Sequence, residues 1–171
     1  ADVAIVLVDG RSGLTAADQH VAELARKNAR HAWLVVNKAE GLDTDIAAGE
    51  FHALGLGDPV AISAAHGDRV TALMDEVLAP FAGPDEAPAD VADDADEQAL
   101  RIAVIGRPNV GKSTLINRLI GEDRLVVFDQ PGTTRDSVAV PFEKDGRRYV
   151  LVDTAGVRRK SRVHETVEKF S

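Results

Sequence analysis

Short apolar runs recur along the chain, each closed by a polar or glycine-bearing turn. Ala4–Val8, Ala32–Val36, Pro59–Ile62, Arg101–Ile105 and Tyr149–Val152 each predict a buried strand. Between them the apolar positions take up helical spacing. Thr15, with Asp18 three residues later, predicts a capping box for a helix that runs to about Asn28. Ile46–Leu54, Val70–Leu78 and Thr114–Ile120 predict further helices. Val138–Phe142 and Arg148–Val152 flank Lys144-Asp145-Gly146, the pattern of a hairpin with an Asp-Gly turn. Lysine-poor apolar strands separated by helices predict an α/β fold, with a mostly parallel sheet covered by helices on both faces. Trp33 and the Leu and Val residues of the strands fall to its core.

At 171 residues the chain can bury the core of one α/β domain of ordinary size. It has no cysteine, hence no disulfide framework and no thiolate metal site. Its five histidines (His20, His31, His52, His66, His164) are scattered, without the HxxxH or HExxH spacing of a zinc site. There is neither an apolar run long enough to span a bilayer nor a signal peptide. A soluble, cytoplasmic protein is expected, with neither a membrane nor DNA among its partners. A start at Ala1 rather than Met leaves room for a removed targeting segment.

Charge divides the chain. The net charge is −8, but residues 1–100 carry −13 and residues 101–171 carry +5. Pro84–Glu97 holds seven carboxylates and no base. Low hydrophobicity and self-repulsion leave that stretch nothing to bury, which is a linker signature. The expected organisation is therefore 1–80, an acidic linker over 81–100, and 101–171. No internal repeat is visible.

Gly106-Arg107-Pro108-Asn109-Val110-Gly111-Lys112-Ser113 is GxxxxGKS, a phosphate-binding P-loop, lying between an expected strand and an expected helix. Backbone N–H groups over Asn109, Val110, Gly111, Lys112, Ser113 and Thr114, with the helix dipole behind them, make an anion cradle. Lys112 is expected to reach the outer phosphates and the Ser113 hydroxyl to bind magnesium. Asp153-Thr154-Ala155-Gly156 closes the strand Tyr149–Val152. Asp153 is placed to hold magnesium through water, and the Gly156 N–H to meet a γ-phosphate.

The base-reading candidates lie earlier in the chain. Asn37-Lys38-Ala39-Glu40 follows the strand Ala32–Val36 and is close to the NKxD motif that reads guanine. A carboxylate at Glu40 accepts from N1–H and from the exocyclic amine, a donor pair that adenine lacks. Glu40 is one methylene longer than the usual aspartate, so its oxygens must be set back. Ser63-Ala64-Ala65 follows Pro59–Ile62, and a backbone N–H there can donate to guanine O6.

Together these residues resemble a bacterial tandem-GTPase family called Der or EngA, whose members carry two successive G domains on one chain. The resemblance rests on GRPNVGKSTLINRL (106–119), DQPGTTRD (129–136), DTAGVRRKSRVHETVEKFS (153–171), NKAEGLD (37–43) and AISAAHG (61–67). It covers essentially the whole chain apart from the linker. It implies the P-loop NTPase G-domain fold, GTP as substrate with GDP as product, and a role in assembly of the large ribosomal subunit, with that subunit and its RNA as partners.

The base motifs precede the P-loop here, the reverse of an ordinary G domain. In the family reading, 1–80 is the C-terminal half of a first G domain and 101–171 the N-terminal part of a second. The other reading is a circularly permuted, ribosome-associated GTPase. The wording of PGTTRD and VRRKSRV favours the tandem family. The Ala1 start and the stop within the helix-like Val163–Ser171 suggest a fragment or a partly ordered chain.

Phosphoryl transfer to water is catalysed by positioning and charge neutralisation. Lys112 and the loop amides would hold the phosphates. Ser113 and a switch-loop threonine, Thr134 in preference to Thr133, would complete the magnesium shell, with Pro131–Thr134 ordering around the γ-phosphate. Ras-like proteins place a water-orienting glutamine where this chain has Val157, so unaided turnover should be slow. In similar GTPases a potassium ion compensates, and the resemblance makes Asn109 one of its ligands. A nucleotide-gated binding module without hydrolysis is the alternative. The basic run Arg158–Arg162 would meet ribosomal RNA phosphates or an acidic partner domain; no aromatic residue interleaves with it for base stacking.

Overall fold

The computed structural model describes residues 1–81, 99–121 and 139–152, and the backbone of 126–127. Strands β1 (Val3–Asp9), β2 (His31–Asn37) and β3 (Val60–Ala61) alternate with helices α1 (Ala16–Asn28), α2 (Thr44–Gly49) and α3 (Val70–Leu78). After the acidic segment, which lies outside the described residues, come β4 (Leu100–Ile105), α4 (Lys112–Ile120), β5 (Val126–Val127), β6 (Val140–Lys144) and β7 (Arg147–Val152).

The described strands form one sheet in the order β3-β2-β1-β4-β7-β6-β5. Pairing is parallel from β3 through β7 and antiparallel at the β7-β6-β5 edge. The seam between the two segments is β1 against β4, with Val3–Val6 in register with Ile102–Ile105. All seven residues of β1 are buried. This follows from its unbroken apolar run, because a strand at the middle of a sheet covered on both faces has no wet side.

Strand alternation divides those side chains between two cores. Val3, Ile5 and Leu7 face one core, built with Leu73 and Val77 of α3 and Leu115 and Leu119 of α4. Ala4, Val6 and Val8 face the other, with Ala22 and Ala25 of α1 and Phe51 and Leu54. Helices thus cover both faces, as the sequence pattern predicts.

The capping box of α1 forms as expected. Asp18 N–H donates to Thr15 Oγ1 at 3.3 Å, and Thr15 N–H donates to Asp18 Oδ2 at 3.0 Å. The helix expected over Ile46–Leu54 differs. Asp43 caps Asp45 N–H and Ile46 N–H, so α2 starts at Thr44. Beyond Gly49 the chain tightens into a 3-10 turn over Glu50–Leu54, ended by Gly55 at φ 63°. In the hairpin, Asp145 and Gly146 both have positive φ, 53° and 76°, so the primed turn matches the twist of β6 and β7. The buried Lys144 ammonium pairs with Asp75 and Asp145 at 2.5 and 2.9 Å. Burial opposes its charge, but the two carboxylates outweigh this and hold its pKa above the ordinary lysine value.

Candidate nucleotide-binding site

β4 delivers the chain into the loop Gly106–Gly111, and α4 begins at Lys112. Two glycines are required by shape. A Cβ at Gly106 would run into the Leu7 carbonyl oxygen of β1, and a Cβ at Gly111 would strike the Asn37 amide nitrogen. Gly111 also stands at φ 102°, and Asn109 at φ 66° is a residue type that tolerates the left-handed region. These reversals turn the loop back over the start of α4. No side chain caps that helix, and Ser113 and Thr114 of its first turn are exposed. An uncapped helix N-terminus with its positive dipole end is where a phosphate is stabilised. Lys112 Nζ bridges the loop, donating to the carbonyls of Gly106 and Arg107 at 2.8 Å each. Burial lowers the pKa of its ammonium from the usual lysine value.

The base-side motifs lie against this loop. Asn37 ends β2 and is buried. Its Nδ2 donates to the Val110 carbonyl at 2.7 Å, and its Oδ1 accepts from Ala64 N–H at 2.9 Å. One carboxamide therefore joins the NKxE segment, the P-loop and the Ser63-Ala64 turn. Lys38, at φ 63°, sends its ammonium to Asp9 Oδ2 at 2.6 Å and to the Asn109 carbonyl at 3.0 Å. Burial raises the pKa of Asp9, but Lys38 and the Arg11 N–H outweigh that and hold its carboxyl below the ordinary value.

The Ser63 turn is tightly self-bonded. Ser63 N–H donates to the Asp68 carbonyl at 3.1 Å, and the Ser63 hydroxyl lies 2.8 Å from His66 Nδ1. Of the three N–H groups in the Ser63-Ala64-Ala65 turn expected to offer a donor to guanine O6, two have partners within the protein, Ser63 on Asp68 and Ala64 on Asn37. Glu40 carries an ion pair with Arg11 at 2.8 Å. The nearby Ser63 hydroxyl, foremost, and the Arg11 charge hold the Glu40 carboxyl below the ordinary glutamate value.

Asn37, Lys38, Glu40, Ser63 and Ala64 are therefore gathered with Asn109, Val110, Gly111, Lys112, Ser113 and Thr114. Asp153, Gly156, Val157, Thr133, Thr134 and the basic run 158–162 lie outside the described residues. β7 ends at Val152, paired with Ala103 of the strand that feeds the P-loop. Among the described residues no cluster of three or more His, Cys, Asp or Glu could hold a metal, and no helix is long and apolar enough to cross a membrane.

Sequence reasoning did not single out Asp9, Arg11 or Arg107 for this site. Arg107, in the P-loop, reaches Asp18 of the α1 capping box, with Nε 3.4 Å from Oδ1. The signal for Asp9 was its place at the C-terminal end of a central parallel strand, where ligands of open α/β sheets bind.

Residues 101–171 match the family model described as 50S ribosome-binding GTPase. The whole chain is similar to GTPase Der of Azoarcus sp. (strain BH72), at 56% identity over 171 residues, covering 38% of that protein. It is 56% identical over 171 residues to GTPase Der of Nitrosospira multiformis, covering 35% of it. GTPase Der of Legionella pneumophila (strain Corby) is 53% identical over 171 residues, with 36% covered. The chain thus spans little more than a third of these relatives. The crystal structure of YjeQ from Thermotoga maritima resembles it with a TM-score of 0.53 at 20% identity, over 90% of this chain and 47% of that one; this likeness concerns the fold alone. With its P-loop NTPase α/β fold, the chain is similar from end to end to part of the bacterial proteins named GTPase Der.

Proposed function

We propose that this chain binds guanine nucleotide and hydrolyses GTP slowly, as part of a cytoplasmic switch for assembly of the large ribosomal subunit. The observation that carries the reading is the Asn37 carboxamide, which ties the base-side motif to the P-loop through Val110 and to the Ser63-Ala64 turn through Ala64. Phosphates would sit at the N-terminus of α4, with Lys112 leaving its loop carbonyls for the outer phosphate oxygens. Glu40 would accept from the guanine edge. The relatives are named GTPases, and the matching family model is described as ribosome-binding. The positive balance of 101–171 suits a nucleic-acid surface such as ribosomal RNA.

A magnesium ion fits the donor set, since the exposed Ser113 hydroxyl at the first turn of α4 is a hard oxygen ligand. Asp153 through water and Thr134 would supply the rest. The ion would neutralise charge developing between the phosphates. Asn109 offers an amide oxygen to a potassium ion. Gly156 would donate its N–H to the γ-phosphate, and Val157 cannot orient a water, which makes the reaction slow.

In this reading, 1–80 is the base-binding half of one G domain and 101–171 the phosphate-binding half of the next. Because the two G domains share one architecture, half of one can complement half of the other. The second reading, a permuted single domain, is favoured by the strand order, in which β1 and β4 are neighbours.

The test is phosphate release from GTP in potassium and in sodium chloride at equal ionic strength. Slow release that is faster in potassium is expected, with no release from ATP. No release in either salt would leave a nucleotide-gated binding module instead.

A further inference from the structure

We propose that Arg11 is a positioning residue that sets base specificity by drawing the Glu40 carboxylate back from the place of the base. The proposal rests on the guanine reading above and deepens it. Glu40 is one methylene longer than an aspartate, so an unrestrained carboxylate would overreach the guanine edge. Arg11 addresses that excess length directly. Its Nη2 donates to Glu40 Oε1 at 2.8 Å and to the Glu40 carbonyl at 3.2 Å, while its Nε donates to the Lys38 carbonyl at 3.3 Å. One planar guanidinium thus clasps both the backbone and the side chain of the 38–40 loop. Lysine, a single point charge, cannot reproduce such a fork.

The clasp is anchored. Arg11 N–H donates to Asp9 Oδ1 at 2.9 Å, and the other oxygen of the same buried carboxylate takes the Lys38 ammonium at 2.6 Å. Asp9 therefore fixes both the residue that pulls and the loop that is pulled.

The two Glu40 oxygens are left unequal. Oε1 is committed to Arg11, whereas Oε2 is buried and makes no hydrogen bond of good geometry; its neighbour, the Ser63 hydroxyl, is engaged with His66 Nδ1 at 2.8 Å and favours the carboxylate charge from nearby. A buried carboxylate oxygen without a donor is unfavourable, and a ligand N–H relieves it. Guanine offers N1–H and the exocyclic amine along that edge. Hypoxanthine offers N1–H alone, and adenine offers neither.

The experiment measures displacement of a fluorescent guanine nucleotide from the full chain by GDP, IDP and ADP, in wild type, Arg11→Ala, Arg11→Lys, Glu40→Asp and the double variant Arg11→Ala/Glu40→Asp. Arg11→Ala should weaken GDP by about fivefold to tenfold, the scale of one ordinary net hydrogen bond, and leave ADP unchanged. Arg11→Lys should fall between the two. In the Glu40→Asp background, where the shorter side chain needs no drawing back, the Arg11→Ala loss should vanish. Equal losses for GDP and ADP would make Arg11 a structural residue and overturn the proposal. So would undiminished GDP binding in Arg11→Ala, with the guanine reading left standing. If wild type shows no preference for GDP over ADP, the guanine reading fails and the proposal fails with it.

Discussion

Asn37 makes two demands with one side chain. Its carboxamide nitrogen serves a P-loop carbonyl and its oxygen serves the Ala64 amide, both within buried contacts. An amide is the group that can donate and accept at once in so small a volume. Asn37→Ala leaves a buried C=O and a buried N–H without partners, each costing about 1–3 kcal/mol. The expected result is a lower midpoint of chemical denaturation, with destabilisation of roughly 2–6 kcal/mol and an unchanged denaturant slope. A variant as stable as wild type would mean that water replaces both bonds. The motif made Asn37 legible in the sequence, but only as a base-reading residue. Its bracing of two backbone segments depends on contacts 73 and 27 residues away, which local pattern does not encode.

At the scale of elements, legibility followed local causes. α3 occupies Val70–Leu78 and α1 ends at Asn28, because apolar spacing and a capping box are local signals. Strand β5, two residues long, was not anticipated, because two valines carry no period to read. The break between α2 and its 3-10 continuation was also hidden, since Gly49 and Gly55 act through backbone freedom rather than polarity. The α1 cap has a second use. Asp18 of that box also faces Arg107 of the P-loop, so the start of the helix and the phosphate loop share a carboxylate. Thr15→Ala removes the cap hydroxyl and should destabilise the fold by about 1 kcal/mol, read by thermal or chemical denaturation. Destabilisation well above the range for a single cap would show that the shared carboxylate couples helix and loop.

For the whole molecule, the joining of strands β1–β3 and β4–β7 in one sheet decides what the site can be. β1 and β4 pair over Val3–Val6 and Ile102–Ile105, and that register brings the end of β2 beside the P-loop. Composition predicts two segments and a linker. It could not foretell which strand lies next to which, because every buried parallel strand in the chain carries the same apolar signal. In the proposed function a single guanine nucleotide is held by both segments at once. Hydrogen exchange of the chain with and without GDP tests it most directly. The expected result is protection both at 106–114 and at 35–40 with 61–66, rising together with GDP concentration. Protection confined to 106–114, with the earlier segments exchanging as in the absence of nucleotide, would contradict it.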